Sequence, residues 1–440
     1  MIGLGFFGGR VAGSGEMVVQ SRMGFSDPVR MLEGLRSVRD AGVEAVGTIT
    51  LDSFTRTGDL RRAREELLHG TPLNGFPLIA HGAAMTRELI AEFDQSIFPI
   101  QLRHGSARPY AIFQEMLAAG ITATEGGPIS YCLPYSREPL YAVVAEWARS
   151  CELLAAYEGP GGPVHLETFG GCMLGQLCPP GLLVALNILE ALFFLQHGVR
   201  SISLSYAQQT NQQQDIEAIR ALRRLADERI GEAAWHVTIY TYMGVYPKSR
   251  KGALSLLGQS ARLAALTGSE RLIVKTVAEA FRIPTIGENV EALKWAAAAA
   301  RDTALGGAHD DGHDIYQEAR TLIDAVLEQH SSVGTALVSA FRRGLLDVPY
   351  CLHPDNPNQA RAIIDPVGRL QWASTGGMPI AAYSPARTAR ISSAGLLSML
   401  DYNRRRFDSH DHGSPRNDSD PDHVYKEGNN HDDDRAAAAG

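Results

Sequence analysis

The chain has 440 residues, 45% of them hydrophobic, enough apolar material for one barrel-sized domain or two smaller ones. A formal net charge of −8, with basic residues scattered rather than blocked, argues against a nucleic-acid surface. Five cysteines (Cys132, Cys151, Cys172, Cys178, Cys351), odd in number and without CxxC spacing, suit a reducing cytoplasm better than a disulfide framework.

Residues 1–16, "MIGLGFFGGRVAGSGE", are apolar and Gly-rich but lack a basic flank and a sustained apolar run, so they read as a lead-in rather than a signal peptide. From Met17 onward strand-like runs alternate with amphipathic helical segments. In chain order the runs are "MVVQSR", "AVGTITL", "GFPLIAHG", "FPIQLRHG", "ITATEGG", "VHLETFGG", "SISLSYAQQ", "HVTIYTYMG" and "RLIVKT". Such alternation predicts a parallel sheet covered by helices. Nine runs are one more than a (β/α)8 barrel needs, so one lies outside the barrel or is not a strand. A doubly wound open sheet is the competing fold, but no Gly-rich dinucleotide fingerprint follows the first run. The most apolar stretch, "GLLVALNILEALFFLQHG", is interrupted by Asn187 and Glu190, which predicts a buried helix and no membrane span. The barrel is expected over 17–305. Residues 306–407, rich in Pro and Asn near "LLDVPYCLHPDNPNQ", are expected to form a smaller helical and irregular region packed on it. The polar, acidic residues 408–440 are expected to be disordered.

In a barrel the C-terminal ends of the strands carry the chemistry. Arg22, Thr50, Asn74, Arg103, Glu125, Phe169, Met243 and Lys275 fall at or just past the ends of runs. Arg22, Arg56 and Arg103 on one rim suit a substrate with two carboxylates, because the guanidinium fork matches a carboxylate in two places. Glu125 supplies the opposite charge, for a substrate ammonium or a proton, and Tyr131 and Tyr135 supply hydroxyls. Taken together these groups describe a pocket for an amino dicarboxylic acid. Taken singly, each arginine could pair with a surface carboxylate, Glu125 could be a counter-ion, and the tyrosines could be core residues. "HDDGHD" at 309–314 reads as a solvated loop, so no metal site is expected, and His81, His104 and His236 read as core or supporting histidines.

The motifs "QSRMG", "LDSFTR", "LNGFP", "QLRHG", "EGGPISYCLPY", "ETFGG", "VKTVAEAFRIP" and "LLDVPY" occur in an order and spacing that resemble the large (epsilon) subunit of glutamate mutase, also called methylaspartate mutase, from about Met17 to Phe407. The resemblance implies a (β/α)8 barrel and an adenosylcobalamin-dependent intramolecular transferase that interconverts L-glutamate and 3-methylaspartate. Its radical mechanism breaks the substrate into a glycyl radical and acrylate and rejoins them. The resemblance also implies a substrate claw of Arg22, Arg56 and Arg103, an amino-group ligand at Glu125 with a catalytic role, and substrate-side hydroxyls at Tyr131 and Tyr135. Cofactor contacts are implied at Arg22, Thr50, Asn74, Pro134, Phe169, Met243, Lys275, Glu279 and Ile283. The implied partner is a small cobalamin-binding (sigma) subunit bearing an Asp-x-His-x-x-Gly motif, with this chain as a homodimer inside a cytoplasmic heterotetramer. The chain's own match to that motif, Asp408, His410 and Gly413, is read as fortuitous, because too little sequence follows it to bury the cofactor's tail. The alternative readings are a mutase for a related amino or oxo dicarboxylic acid and a non-catalytic dicarboxylate-binding paralogue.

Overall fold

The computed structural model describes residues 4–173, 177–304, 312–382 and 391–409. Eight parallel strands close into a barrel in sequential order: β1 (Val18–Gln20), β2 (Ala45–Thr50), β3 (Ile100–Arg103), β4 (Ala123–Glu125), β5 (His165–Glu167), β6 (Ser201–Ala207), β7 (Ala234–Tyr240) and β8 (Arg271–Ile273). β8 closes on β1 through the register Leu272↔Val19. The run "GFPLIAHG" is the one that is not a strand. Pro77 cannot donate to a ladder, and the chain turns at once into the short helix Leu78–His81. Only the bridge Leu51↔Phe76 remains, but it holds this segment beside the end of β2. Asn74 therefore reaches the rim from a loop within the β2–β3 connection rather than from a strand end.

Side chains alternate along each strand, as period-two geometry requires. Val19, Ile49, Leu102, Leu166, Leu204, Ile239 and Leu272 face the helices in the main apolar core. The opposite face looks into the barrel and is largely polar: Gln20, Thr48, Gln101, Glu167, Ser203 and Arg271 are all fully buried. The helix Pro180–Gln196 is buried along nearly its whole length. It packs against β6 on one side and the helix His313–Leu327 on the other. Its two polar interruptions point at the barrel, Asn187 bonding Thr168 and the Ser205 carbonyl, and Glu190 taking the loops described below. Among the described residues no helix is long and apolar enough to cross a membrane.

The lead-in has a structural task that its composition did not announce. Its helix Phe6–Ala12 closes the N-terminal mouth of the barrel, where Phe7 and Val11 pack with Val18, Val46 and Ala123. The Phe7 ring stacks on His165 at 5.0 Å and lies under the Arg271 guanidinium at 4.9 Å. Beyond the barrel, helices His313–Leu327 and Val333–Arg343 add an outer layer over the helices that follow β4 to β6. An antiparallel hairpin of β9 (Arg361–Ile364) and β10 (Leu370–Ser374) follows. The last described helix, Tyr402–Asp408, carries one correction to the expected boundary of the tail. Asp408 is ordered, and its carboxylate accepts from Lys248 N at 3.1 Å and from Ser249 N and Oγ at 3.0 and 2.8 Å. The rest of the acidic tail from residue 410, His410 and Gly413 included, and the first half of "HDDGHD", residues 309–311, lie outside the described residues.

Phe7→Ala is expected to cost about 3–5 kcal/mol, the usual range for emptying a packed aromatic site, because it also opens the floor beneath a buried arginine. Urea denaturation of the full chain measures this. A change below about 1 kcal/mol would show that the helix is not a working part of the barrel.

Candidate active site

Glu125 ends β4, and the chain leaves the sheet there through "GGPISY". Gly126 has φ +125°, and a Cβ there would lie 2.6 Å from Trp147 and from the Tyr131 ring. A Cβ on Gly127 would lie 2.1 Å from the Glu190 carboxylate. The two glycines thus let the loop pass close over Glu190, whose buried carboxylate accepts from Ile129 N (3.2 Å), Ser130 N (2.9 Å), Ser130 Oγ (2.8 Å) and Phe169 N (3.2 Å). Burial pushes the Glu190 carboxyl up to about 7, against the pull of these donors. One side chain therefore fixes both the loop carrying Tyr131 and the start of the loop carrying Phe169.

The loop turns Tyr131 back onto Glu125. Tyr131 OH donates to Glu125 Oε1 at 2.5 Å, Arg103 Nε donates to Oε2 at 2.7 Å, and Tyr240 OH lies 2.8 Å from the same Oε2. Arg103 and Glu125 are 5% and 2% exposed, so this ion pair is desolvated. Burial pushes the Glu125 carboxyl up, but the Arg103 charge and hydrogen bond, with those of Tyr131 and Tyr240, more than offset it and leave it below its ordinary value. The Tyr131 and Tyr240 hydroxyls are held protonated, first by burial and then by the Glu125 charge. His104 Nδ1 accepts from Ser106 N at 3.0 Å, so its Nε2–H donates to the Glu125 carbonyl at 2.7 Å. Burial lowers His104 to about 4, which keeps it neutral. Phe169 packs on Tyr131 and Tyr240 with ring centroids 5.0 and 5.4 Å apart, and Tyr135, 48% exposed, stands edge-on to Tyr131.

The other expected residues form a second, outer group. Lys275 Nζ lies 3.6 Å from Glu279, and Arg22 Nη1 lies 3.7 Å from the same carboxylate. Burial lowers the Lys275 ammonium to about 8, with Glu279 acting against that. A cavity of about 510 Å3 at this rim is lined by Arg22, Thr50, Asn74, Glu279 and Ile283 among others. Asn74 Oδ1 accepts from Ser53 N at 2.9 Å, joining its loop to the helix Ser53–Thr57 that carries Arg56. Arg56 is exposed and makes no ion pair among the described residues. It lies over Gly105, two residues past Arg103, where an added Cβ would come 3.0 Å from its Cδ. Pro134 and Met243 are half-buried, whereas Ile283 is 54% exposed. The structure thus joins Arg103, Glu125, Tyr131 and Phe169 directly. Arg22, Lys275 and Glu279 are linked to one another at the mouth, and Arg56 stands apart from both groups.

The residues match 10–391 of the chain to the family described as Methylaspartate mutase E chain (MutE). The chain belongs to this family. Among its relatives, the glutamate mutase epsilon subunit of Haloarcula marismortui is 31% identical over 346 residues, covering 76% of this chain and 70% of that protein. The glutamate mutase epsilon subunit of Halobacterium salinarum is 30% identical over 407 residues, covering 89% and 83%. That of Desulfitobacterium hafniense is 30% identical over 378 residues, covering 82% and 77%. As a member of this family, the protein is a mutase subunit.

Sequence reasoning missed the layer beneath the site: Tyr240, Glu167, Arg271, Gln20 and Gln101. Tyr240 OH also contacts Glu167 Oε1, and Arg271 bonds both Glu167 and Gln20. Gln20 Nε2 donates to Thr48 Oγ1 at 2.9 Å and Gln101 Oε1 at 2.7 Å. A signal for this layer was present in the strands, where polar residues recur at every second position, as in His236, Thr238 and Tyr240 of β7.

Removing one partner of a buried ion pair leaves the other charge unpaired, at a cost of about 3–5 kcal/mol. Arg103→Met is expected to destabilise the chain by about 3 kcal/mol, and the double variant Arg103→Met/Glu125→Gln by markedly less. Additive losses in a denaturation double-mutant cycle would show that the two side chains do not depend on each other.

Proposed function

We propose that this chain is the catalytic subunit of an adenosylcobalamin-dependent carbon-skeleton mutase acting on L-glutamate and 3-methylaspartate. The observation that carries the reading is the buried Arg103–Glu125 pair. Arg103 binds Glu125 through Nε alone, and among the described residues neither terminal nitrogen has a hydrogen-bond acceptor. A guanidinium so held offers its outer N–H groups to a substrate carboxylate. Among the described residues Glu125 Oε1 accepts from Tyr131 alone, which leaves room for an ammonium donor beside it. Arg22, with a buried Nε–H that has no partner among the described residues, supports a second carboxylate contact. Arg56 completes the claw if its exposed side chain swings in from above Gly105.

The rim supports a large amphipathic group. Apolar Phe281 and Ile283 are exposed beside the polar Lys275–Glu279 pair, and Thr50 keeps a buried hydroxyl without a partner among the described residues. Arg22, Thr50, Asn74, Pro134, Phe169, Met243, Lys275, Glu279 and Ile283 would hold adenosylcobalamin there. When bound, that cofactor supplies the radical that starts the rearrangement. The chain's own work is to hold both carboxylates while the carbon skeleton is broken and rejoined. Glu125 holds the amino group and takes up part of its proton, and Phe169, Tyr131 and Tyr135 keep water from the reacting carbons. The cofactor's other face needs a partner, which we assign to a small cobalamin-binding subunit with an Asp-x-His-x-x-Gly loop, in a heterotetramer built on a dimer of this chain. Asp408 supports that division of labour, because its carboxylate already caps the start of the helix Arg250–Thr267 and is not available to orient a histidine ligand.

Reconstitution tests the reading. The purified chain alone is expected to give no turnover of L-glutamate with adenosylcobalamin, and addition of a small cobalamin-binding subunit is expected to restore it. Glu125→Gln is expected to lower kcat by more than it raises KM, since the lost charge matters most as the amino-bearing fragment forms. Full activity of the chain alone, or a change in KM only, would contradict it.

A further inference from the structure

This inference rests on the reading that Tyr135 is a substrate-side hydroxyl. The loop that carries Tyr131, Pro134 and Tyr135 starts at Gly126 and Gly127, and two glycines leave such an entry free to swing. Glu190 ties the near half of the loop, at Ile129 and Ser130. The far half, where Tyr135 stands, is tied by the segment that follows "LLDVPY", 215 residues further on. His353 Nε2 lies 3.0 Å from the Glu138 carbonyl, Leu140 N donates to Asp355 Oδ2 at 2.7 Å, and Arg137 Nη1 donates to the Leu352 carbonyl at 2.5 Å. Cys351 Sγ donates to the Leu133 carbonyl at 3.4 Å.

This strap is itself fixed from within. Asp347 is fully buried, and its carboxylate accepts from Asn358 N, Gln359 N and Ala360 N at 3.0, 2.6 and 2.7 Å. Asn356 Nδ2 reaches the carbonyls of Val348 and Cys351, each at 3.0 Å. Tyr350 and Asn358 are held at φ +64° and +55°, where residues other than glycine rarely sit. Such strain persists only where the surroundings impose it, and it gathers at segments with a task. His353 is buried, and its Nδ1 accepts from Asp355 N at 3.1 Å, so its Nε2–H is the donor to Glu138.

We propose that His353 is a positioning residue for the mutase site, which ties the far half of the loop to the strap and so presets Tyr135 at the mouth before substrate arrives. It acts through the Glu138 carbonyl and touches no substrate. Without this tie the loop keeps its anchor at Glu190 but loses the one beyond Tyr135, and ordering the tyrosine becomes a cost of binding.

Calorimetric titration of the full chain with L-glutamate tests this through a double-mutant cycle. Tyr135→Phe is expected to lower glutamate affinity about fivefold, the worth of one hydrogen bond. His353→Asn keeps an acceptor for Asp355 N and loses the donor to Glu138, and it is expected to cost about fivefold as well. In the Tyr135→Phe background it is expected to cost less than about twofold, because the hydroxyl it positions is gone. His353→Gln places its amide N–H where Nε2–H was and is expected to stay within about twofold of wild type. A histidine that served stability alone would shift the unfolding midpoint without this dependence on Tyr135. If His353→Asn does not fold, the exposed Arg137→Met, which frees the Leu352 carbonyl, takes its place in the cycle, with about a threefold loss expected alone and none beside Tyr135→Phe. If Tyr135→Phe loses affinity but the strap variant costs nothing, or costs the same factor in both backgrounds, or if His353→Gln loses as much as His353→Asn, the positioning role is overturned and the reading of Tyr135 stands. If Tyr135→Phe binds glutamate like the wild type, or the wild type binds none, the reading of Tyr135 fails and the positioning role falls with it.

Discussion

Charge balance inside a closed barrel is the constraint on which the rest of this structure depends. Two arginines and two glutamates occupy the interior: Arg271 and Glu167 form one fully buried pair, Arg103 and Glu125 a second, and Tyr240 joins them. An isolated charge there would be prohibitively costly, so each must be paired and hydrogen-bonded. Meeting that demand fixes much else. It requires Gln20, Gln101 and Ser203 to satisfy Arg271, and Tyr131 to be folded back over Glu125 by a loop with two glycines. It also requires Phe7 below, to keep water from the lower pair. The candidate site is therefore built from the floor of the barrel upward, although only its top layer reaches the rim.

The inner pair and the outer group do different physical work. Arg103 and Glu125 are dry and immobilised, with little conformational freedom left to lose when a ligand arrives. Arg22, Lys275 and Glu279 are joined by ion pairs of 3.6 and 3.7 Å, longer than a direct hydrogen bond, and Arg56 stands in solvent. Under the proposed function, a substrate entering past the outer group would meet a preset anchor at one end and adjustable cations at the other. This division suits a reaction in which a carbon skeleton shifts while its charged ends stay held.

Much of this was legible in the sequence, for identifiable reasons. The strand–helix alternation gave the barrel, because each outward strand face and each helix must bury an apolar surface of its own period. The rim residues were legible because they sit where regular structure stops. "GFPLIAHG" misled because its apolar content outweighed Pro77, which removes a ladder donor and hands the chain to a helix. Tyr240, Glu167 and Arg271 escaped notice because a strand reads as buried from its apolar residues, and these polar ones complete each other only across strands far apart in sequence. Asp408 was assigned to the tail by composition, yet it caps a helix 159 residues earlier in the chain. No local pattern reports such a contact.

The central claim is that this pocket receives an amino dicarboxylic acid with its ammonium on Glu125 and a carboxylate on the outer N–H groups of Arg103. A crystal structure of the chain with L-glutamate bound tests it most directly. The ligand nitrogen is expected within hydrogen-bond distance of Glu125, one carboxylate on Arg103, and the other drawn to Arg22 and Arg56. A ligand bound elsewhere, or one in this mouth with its carboxylates on other residues and its nitrogen away from Glu125, would contradict it.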